Sequence, residues 1–227
     1  MKYWSILYVM PAKNVLKEYE AGAYYHIYNR GVDKGLIFRE DKDYKTFLSY
    51  LKLYLSLQGE SLKEFPSRKL KNYFNEIELL CYCLMPNHFH LLIKQFSDHG
   101  MDHFLRSLLT KYVRYFNSHY HRIGPLFQGP YKAVKVTTDY QFIYLSKYIH
   151  SNPTSLFNFK ESPRSLQEYR YSSYGNYLHK FTQSWVKTEA ILSYFSQKNT
   201  GMSYEAFLEQ SRPGDTDPIQ EIALDFE

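Results

Sequence analysis

Two apolar runs lie close together in the chain, over residues 77–84 and 88–94, and are separated by residues 85–87. A short apolar run that is bounded by turn residues is typical of a β-strand, and Pro86 with Asn87 between the two runs is common turn chemistry. The pattern therefore predicts a β-hairpin. Residues 23–28 and 131–136 are rich in aromatic and β-favouring side chains and predict two further strands.

Two other segments, residues 41–57 and 102–120, carry apolar side chains at helical spacing. A third helix is predicted to run to about residue 151. Thr137, Thr138 and Asp139 are its candidate N-caps, and Asn152 with Pro153 can end it. The predicted order is β-α-β-β-α-β followed by one more helix. Two split β-α-β halves of this kind form a ferredoxin-like antiparallel sheet with the first two helices on one face. The predicted fold class is therefore α+β, with an added third helix and a helical C-terminal extension.

The ends of the chain differ from its middle in composition. The net charge is +5, but residues 201–227 hold seven acidic residues and one basic residue, so the body is basic and the tail acidic. We expect an N-terminal extension over residues 1–20, a main domain over 21–180, a helical extension over 181–211 and a flexible acidic tail over 212–227. Met10 is an alternative start, which would make residues 1–9 an upstream extension. No apolar stretch reaches transmembrane length.

The predicted hairpin carries two histidines at positions i and i+2. In a strand His88 and His90 project from one face, whereas Phe89, Leu91 and Ile93 project from the other. This spacing is that of a metal-binding pair on a rigid strand, and equally that of two polar residues on a half-exposed strand. Cys81 and Cys83 alternate in the same way; two thiols fall short of a four-ligand zinc site, and we interpret them as core residues in a reducing, cytoplasmic setting.

If the first two helices cover the face of Phe89, the third helix is the candidate neighbour of the histidines. It carries Tyr148 and Asn152 four residues apart, and such neighbours share one face of a helix. A histidine pair, an amide oxygen and a phenol can therefore converge on one point. The alternatives are ordinary: one of 24 tyrosines in the core or on the surface, and an asparagine that caps a helix.

Five short motifs occur in an order that resembles the REP-associated tyrosine transposases, which belong to the HUH superfamily of single-strand DNA transposases. They are YHIYNRG at 25–31, MPNHFHLL at 85–92, YFN at 115–117, FQG at 127–129 and YIHSNP at 148–153. The joint occurrence of the His-x-His and YIHSNP elements is the specific part of the resemblance, which covers residues 21–177. The extension beyond it departs from the minimal domain.

The resemblance implies a role for each of these residues. His88 and His90 are the implied metal ligands, Asn152 a third ligand or a residue close to the metal, and Tyr148 the nucleophile. The implied cofactor is Mg²⁺ or Mn²⁺, since two imidazoles and an amide oxygen leave positions open for a phosphate. The implied activity is cleavage and joining of single-stranded or hairpin DNA through a 5′-phosphotyrosine, by a monomer acting in cis, with a dimer as the alternative.

The roles of several other residues are left open. Seven basic residues are candidates for phosphate contacts, although a solvated surface explains each of them as well: Arg30, Lys34, Arg106, Lys111, Arg114, Lys132 and Lys135. We interpret His26 as structural, and His150 has no spacing that singles it out. Tyr112 and Tyr115 are rival nucleophiles on the covered face. A domesticated DNA-binding protein that does not cut, and an RNA-binding or structural ferredoxin-like domain without metal, are the competing functions.

Overall fold

The structure is a computed structural model that describes residues 19–57, 71–156, 165–196 and 198–210. Its centre is a four-stranded antiparallel sheet in the order β2-β3-β1-β4, formed by β1 (Tyr24–Arg30), β2 (Ile77–Met85), β3 (His88–Gln95) and β4 (Lys132–Val136). Each split β-α-β half has its two strands separated by one antiparallel strand. The predicted ferredoxin-like arrangement and the hairpin at Pro86 and Asn87 are confirmed.

Three long helices accompany the sheet: α1 (Asp41–Leu55), α2 (Gly100–His119) and α3 (Asp139–Ser151). Helix α3 begins where predicted, because the Thr138 hydroxyl accepts a hydrogen bond of 3.1 Å from the backbone N–H of Gln141. It passes into a 3-10 turn, Asn152–Leu156, because Pro153 cannot continue an α-helix. Helix α1 ends two residues before its predicted end at residue 57.

The two faces of the sheet are buried against different helices. Phe89, Leu91 and Ile93 lie in one apolar core with the inner faces of α1 and α2. Leu92 lies in a second core, on the face of the two histidines, together with Leu145 and Ile149 of α3. The period-two pattern of β3 thus gave the correct face for every side chain from His88 to Ile93.

The C-terminal part packs on the second core through short elements: α4 (Tyr174–Tyr177), α5 (Glu189–Leu192) and α6 (Tyr204–Glu209). Within the helical extension predicted over residues 181–211, α5 is thus limited to one turn. The preceding segment covers the free edge of β2, since the backbone N–H of Leu84 donates to Tyr171 O at 2.9 Å and that of Ser173 to Tyr82 O at 3.0 Å. The acidic tail predicted over 212–227 lies outside the described residues.

Two further findings concern membranes and thiols. Among the described helices, none has the length and apolar character needed to span a membrane. Cys81 and Cys83 are both buried as free thiols in the second core, as the alternation along β2 predicted. Burial raises the pKa of both thiols well above its ordinary value, which keeps them protonated.

Candidate active site

Strand register places the histidine pair beside two basic residues. His88 lies opposite Arg30 on β1, and His90 lies opposite Tyr28, whose other neighbour is Lys132 on β4. Directly opposed residues in an antiparallel sheet project from the same face. Arg30 and Lys132 therefore lie on the histidine face.

His88 lies between two amide oxygens. Its Nδ1 is 2.7 Å from Asn87 Oδ1 and its Nε2 is 3.3 Å from Asn152 Oδ1. Burial lowers the pKa of His88 to about 4. The hydrogen bond that a protonated ring would donate to Asn152 opposes this shift, and the charge of Arg30 adds to it. At neutral pH the ring is thus uncharged and carries one N–H.

The position of that proton follows from the geometry around the two amides. Asn87 Nδ2 donates to Lys34 O at 3.2 Å, and Asn152 Nδ2 donates to Tyr148 O at 2.9 Å, so in each amide the oxygen is the atom that faces His88. We assign the proton to Nδ1, which faces the nearer oxygen. The lone pair of Nε2 and that of Asn152 Oδ1 then face each other, which is the arrangement of two ligands around one cation.

His90 is completely buried, and its Nδ1 lies 2.9 Å from Nε2 of His26. Burial is the largest cause that lowers the pKa of His90 well below its ordinary value, and the neighbouring His88, His26 and Arg30 add to it. His90 is therefore a neutral imidazole. Sequence reasoning had treated His26 as structural, because its distance from His90 along the chain gave no indication of contact.

Helix α3 brings Tyr148 to the same place. Its ring lies edge-on to the ring of His90, with 5.4 Å between the centroids, and also edge-on to that of His26 at 6.1 Å. Asn152 lies one helical turn further on. Its Nδ2 donates a hydrogen bond to the backbone carbonyl of Tyr148, and its Oδ1 faces His88. The structure thus brings together the four residues that the sequence singled out: His88, His90, Tyr148 and Asn152.

The rival tyrosines of α2 have structural roles on the opposite face of the sheet. Tyr112 donates a hydrogen bond of 2.6 Å to Ile37 O, and Tyr115 donates one of 2.9 Å to Asp43. Partial burial and the contact with Asp43 raise the pKa of Tyr115 to about 12. Neither phenol faces the histidine pair.

An open pocket of about 620 Å³ lies in front of Tyr148. Its lining includes polar side chains, among them Arg30, Asn87, His88 and Asn152, and also the apolar side chains of Leu36, Met85, Pro86 and Leu156. A phosphate suits the polar groups and a flat heterocycle the apolar ones, so the pocket has the chemical character of a nucleotide site.

The seven candidate phosphate contacts are divided between the faces of the molecule. Lys135 pairs with Glu20, Arg106 pairs with Asp102 at 2.8 Å, and Lys111 lies 4.9 Å from the ring centre of Tyr50. Arg106, Lys111 and Arg114 all belong to α2, on the face opposite the histidines. Lys34 is exposed and close to Asn87. Of these seven residues, only Arg30 and Lys132 project from the histidine face of the sheet.

His88, His90 and Asn152 offer ligand atoms for a divalent cation. Within the described residues no cluster of three or more His, Cys, Asp and Glu side chains has the arrangement of a metal site. Two neutral imidazoles and an amide oxygen nevertheless fit a cation such as Mn²⁺, which accepts nitrogen and oxygen ligands. Adjacent ligand atoms of an octahedral ion at about 2.1 Å lie about 3 Å apart, close to the 3.3 Å between His88 Nε2 and Asn152 Oδ1.

Comparison with known proteins agrees with the resemblance drawn from the motifs. Residues 55–152 match the family described as "Transposase IS200 like". This segment, which contains His88, His90, Tyr148 and Asn152, is thus similar in sequence to the IS200-like transposases.

One solved structure is described as "Structure of the REP associates tyrosine transposase bound to a REP hairpin". It is 11% identical in sequence, with a TM-score of 0.43 over 76% of this chain and 95% of that chain. No curated protein matches the chain.

Proposed function

We propose that the protein is a metal-dependent endonuclease and strand transferase that acts on single-stranded DNA, with hairpin repeats as its substrate. The observation that carries the proposal is the convergence of Tyr148, His88 and Asn152 at a nucleotide-sized pocket, with the buried His90 in ring contact with both Tyr148 and His88. The family match over residues 55–152 supports it. A hydrolytic enzyme would need no phenol at this position.

In this proposal Tyr148 is the nucleophile and the surrounding residues position the phosphodiester. The phenol oxygen attacks phosphorus, a Tyr–O–P bond forms, and the bond from phosphorus to the 3′ oxygen breaks. The 3′ oxygen takes up one proton and leaves as a hydroxyl. The phenol loses one proton, so the protons balance. The reverse attack by a 3′-hydroxyl rejoins strands, because the phosphodiester energy is kept in the phosphotyrosine.

His88, His90 and Asn152 would hold Mg²⁺ or Mn²⁺, and such a cation, when bound, neutralises a non-bridging phosphate oxygen. Arg30 and Lys132 lie on the same face and supply positive charge for the flanking phosphates. Tyr148 lies beside the histidines of its own chain, which supports a monomer acting in cis. The buried thiols of Cys81 and Cys83 support a cytoplasmic setting.

The proposed function is tested by looking for a covalent adduct between the protein and DNA. The protein is incubated with Mn²⁺ and a 3′-labelled single-stranded hairpin oligonucleotide, because a 5′-phosphotyrosine keeps the downstream part of the strand. We expect a labelled band that survives denaturation, and an upstream fragment whose 3′-hydroxyl a polymerase extends. Tyr148→Phe is expected to abolish the adduct and to leave DNA affinity within about threefold, since only one hydroxyl is lost.

Tyr140→Phe is the matched control, since Tyr140 lies on the same helix but is 58% exposed. It should form the adduct at the wild-type rate. An adduct that survives in Tyr148→Phe would exclude Tyr148 as the nucleophile. Tight DNA binding without any adduct in the wild-type protein would favour the domesticated DNA-binding protein instead.

A further inference from the structure

His26 is a buried histidine in direct contact with a candidate metal ligand. Its side chain has no exposed surface, and its Nε2 lies 2.9 Å from Nδ1 of His90. The ring of Tyr28 lies 5.0 Å from that of His26, and the ring of Tyr148 lies edge-on at 6.1 Å. Two neighbouring strands and α3 thus hold the His26 ring in place.

One proton lies between Nε2 of His26 and Nδ1 of His90, and its position decides which nitrogen of His90 can bind a cation. If His26 donates, His90 must carry its own proton on Nε2, and that nitrogen has no lone pair to offer. If His90 donates from Nδ1, its Nε2 is a ligand and His26 carries its proton on Nδ1. Metal-binding histidines typically donate their second N–H to an acceptor in this way.

We propose that His26 is a positioning residue for the metal site: it accepts a hydrogen bond from Nδ1 of His90 and so fixes the tautomer and orientation of that ligand. The proposal rests on the proposed function, in which His90 binds a divalent cation. His26 itself contacts neither the substrate nor the cation. Its role is to make Nε2 of His90 available on the side of His88 and Asn152.

The first experiment measures Mn²⁺ affinity in the absence of DNA, by calorimetry or by paramagnetic resonance. His26→Phe keeps a flat ring and removes the acceptor, and we expect Mn²⁺ to bind 10- to 100-fold more weakly, the usual cost of losing such a partner. His26→Gln offers an amide oxygen as acceptor and is expected to recover part of the affinity. His103→Phe is the control, since His103 is exposed on α2, and its affinity should equal that of the wild type.

Thermal unfolding of each variant without metal shows whether it folds. A folded His26→Phe that binds Mn²⁺ as the wild type does would overturn the proposal, and so would a wild-type protein that binds no Mn²⁺. These results are independent of the adduct assay, because no DNA is present. A failed adduct assay with a clear His26 effect on Mn²⁺ would leave this inference standing and reject strand transfer.

The second experiment does not depend on a variant. Nitrogen-15 spectra of histidine-labelled wild-type protein, saturated with Mg²⁺, distinguish protonated from unprotonated ring nitrogens. We expect the proton of His26 on Nδ1 and that of His90 on Nδ1 as well. A proton on Nε2 of His26 would contradict the assignment even if His26→Phe fails to fold.

Discussion

His150 and Tyr204 are joined by a hydrogen bond of 2.7 Å between two buried side chains that are 54 residues apart in the chain. Burial lowers the pKa of His150 to about 3, so the ring is neutral. The Tyr204 hydroxyl is also 3.1 Å from Ser146, which donates to Ile143 O at 2.7 Å. A consistent chain of donors therefore runs from His150 Nδ1 through Tyr204 to Ser146.

This chain of hydrogen bonds ties α6 to the helix that carries the candidate nucleophile. Lys147 adds a second connection, since its ammonium group donates to Phe207 O at 2.8 Å. Lys147 and His150 stand on either side of Tyr148 in the sequence. The C-terminal segment thus holds α3 at the point where the phenol must be aligned with the histidine pair.

Tyr204→Phe tests this connection. The ring stays, but His150 and Ser146 lose their common partner, and buried donors without acceptors cost about 1–3 kcal/mol. We expect a lower midpoint of thermal unfolding, and a slower rate of adduct formation with unchanged DNA affinity, because the alignment of Tyr148 loosens. Tyr140→Phe, at a tyrosine of α3 that is 58% exposed, should change neither. Equal melting curves for Tyr204→Phe and wild type would contradict the structural role of this bond.

The sheet register predicts which lysine of β4 contacts DNA. Lys132 projects from the histidine face, whereas Lys135 belongs to the opposite face and pairs with Glu20. Each phosphate contact with a single strand contributes about 0.7 to the slope of log affinity against log salt concentration. Lys132→Gln is therefore expected to lower the slope by about 0.7 and Lys135→Gln to leave it unchanged. Equal slopes for the two variants would show that the histidine face does not bind the phosphate backbone of DNA.

The apolar residues that line the pocket predict contact with an unpaired base near the cut. Leu36 is one of them and is 52% exposed, so Leu36→Ser should leave the fold intact and weaken binding of a single strand. We expect an abasic nucleotide beside the cleaved phosphate to weaken binding by a similar factor, and the two changes together to cost little more than either one. Ile123→Ser is the control, at a residue that is 99% exposed elsewhere. Fully additive losses would mean that Leu36 does not contact that base.

The parts of the site that follow from local patterns could be predicted from the sequence. Alternation along β3 gave the faces of His88 and Phe89, and the cap at Thr138 with the stop at Pro153 gave the helix that carries Tyr148. The roles of His26 and His150 could not be found in this way. Their partners lie 64 and 54 residues away, and contact depends on strand register and on the packing of short C-terminal turns.

Asp43 is a buried carboxylate that joins α1 to α2, and it offers a test of fold stability away from the active site. It accepts hydrogen bonds from the backbone N–H of Arg39 at 2.8 Å and from the hydroxyls of Tyr115 at 2.9 Å and Tyr120 at 2.7 Å. Asp43→Ala leaves these donors buried without an acceptor, so we expect the free energy of unfolding to fall by about 3 kcal/mol, measured by urea denaturation. Asp41→Ala, at the exposed acidic residue that begins the same helix, should change it by less than about 0.5 kcal/mol. A similar small effect at both positions would mean that water satisfies the donors around Asp43.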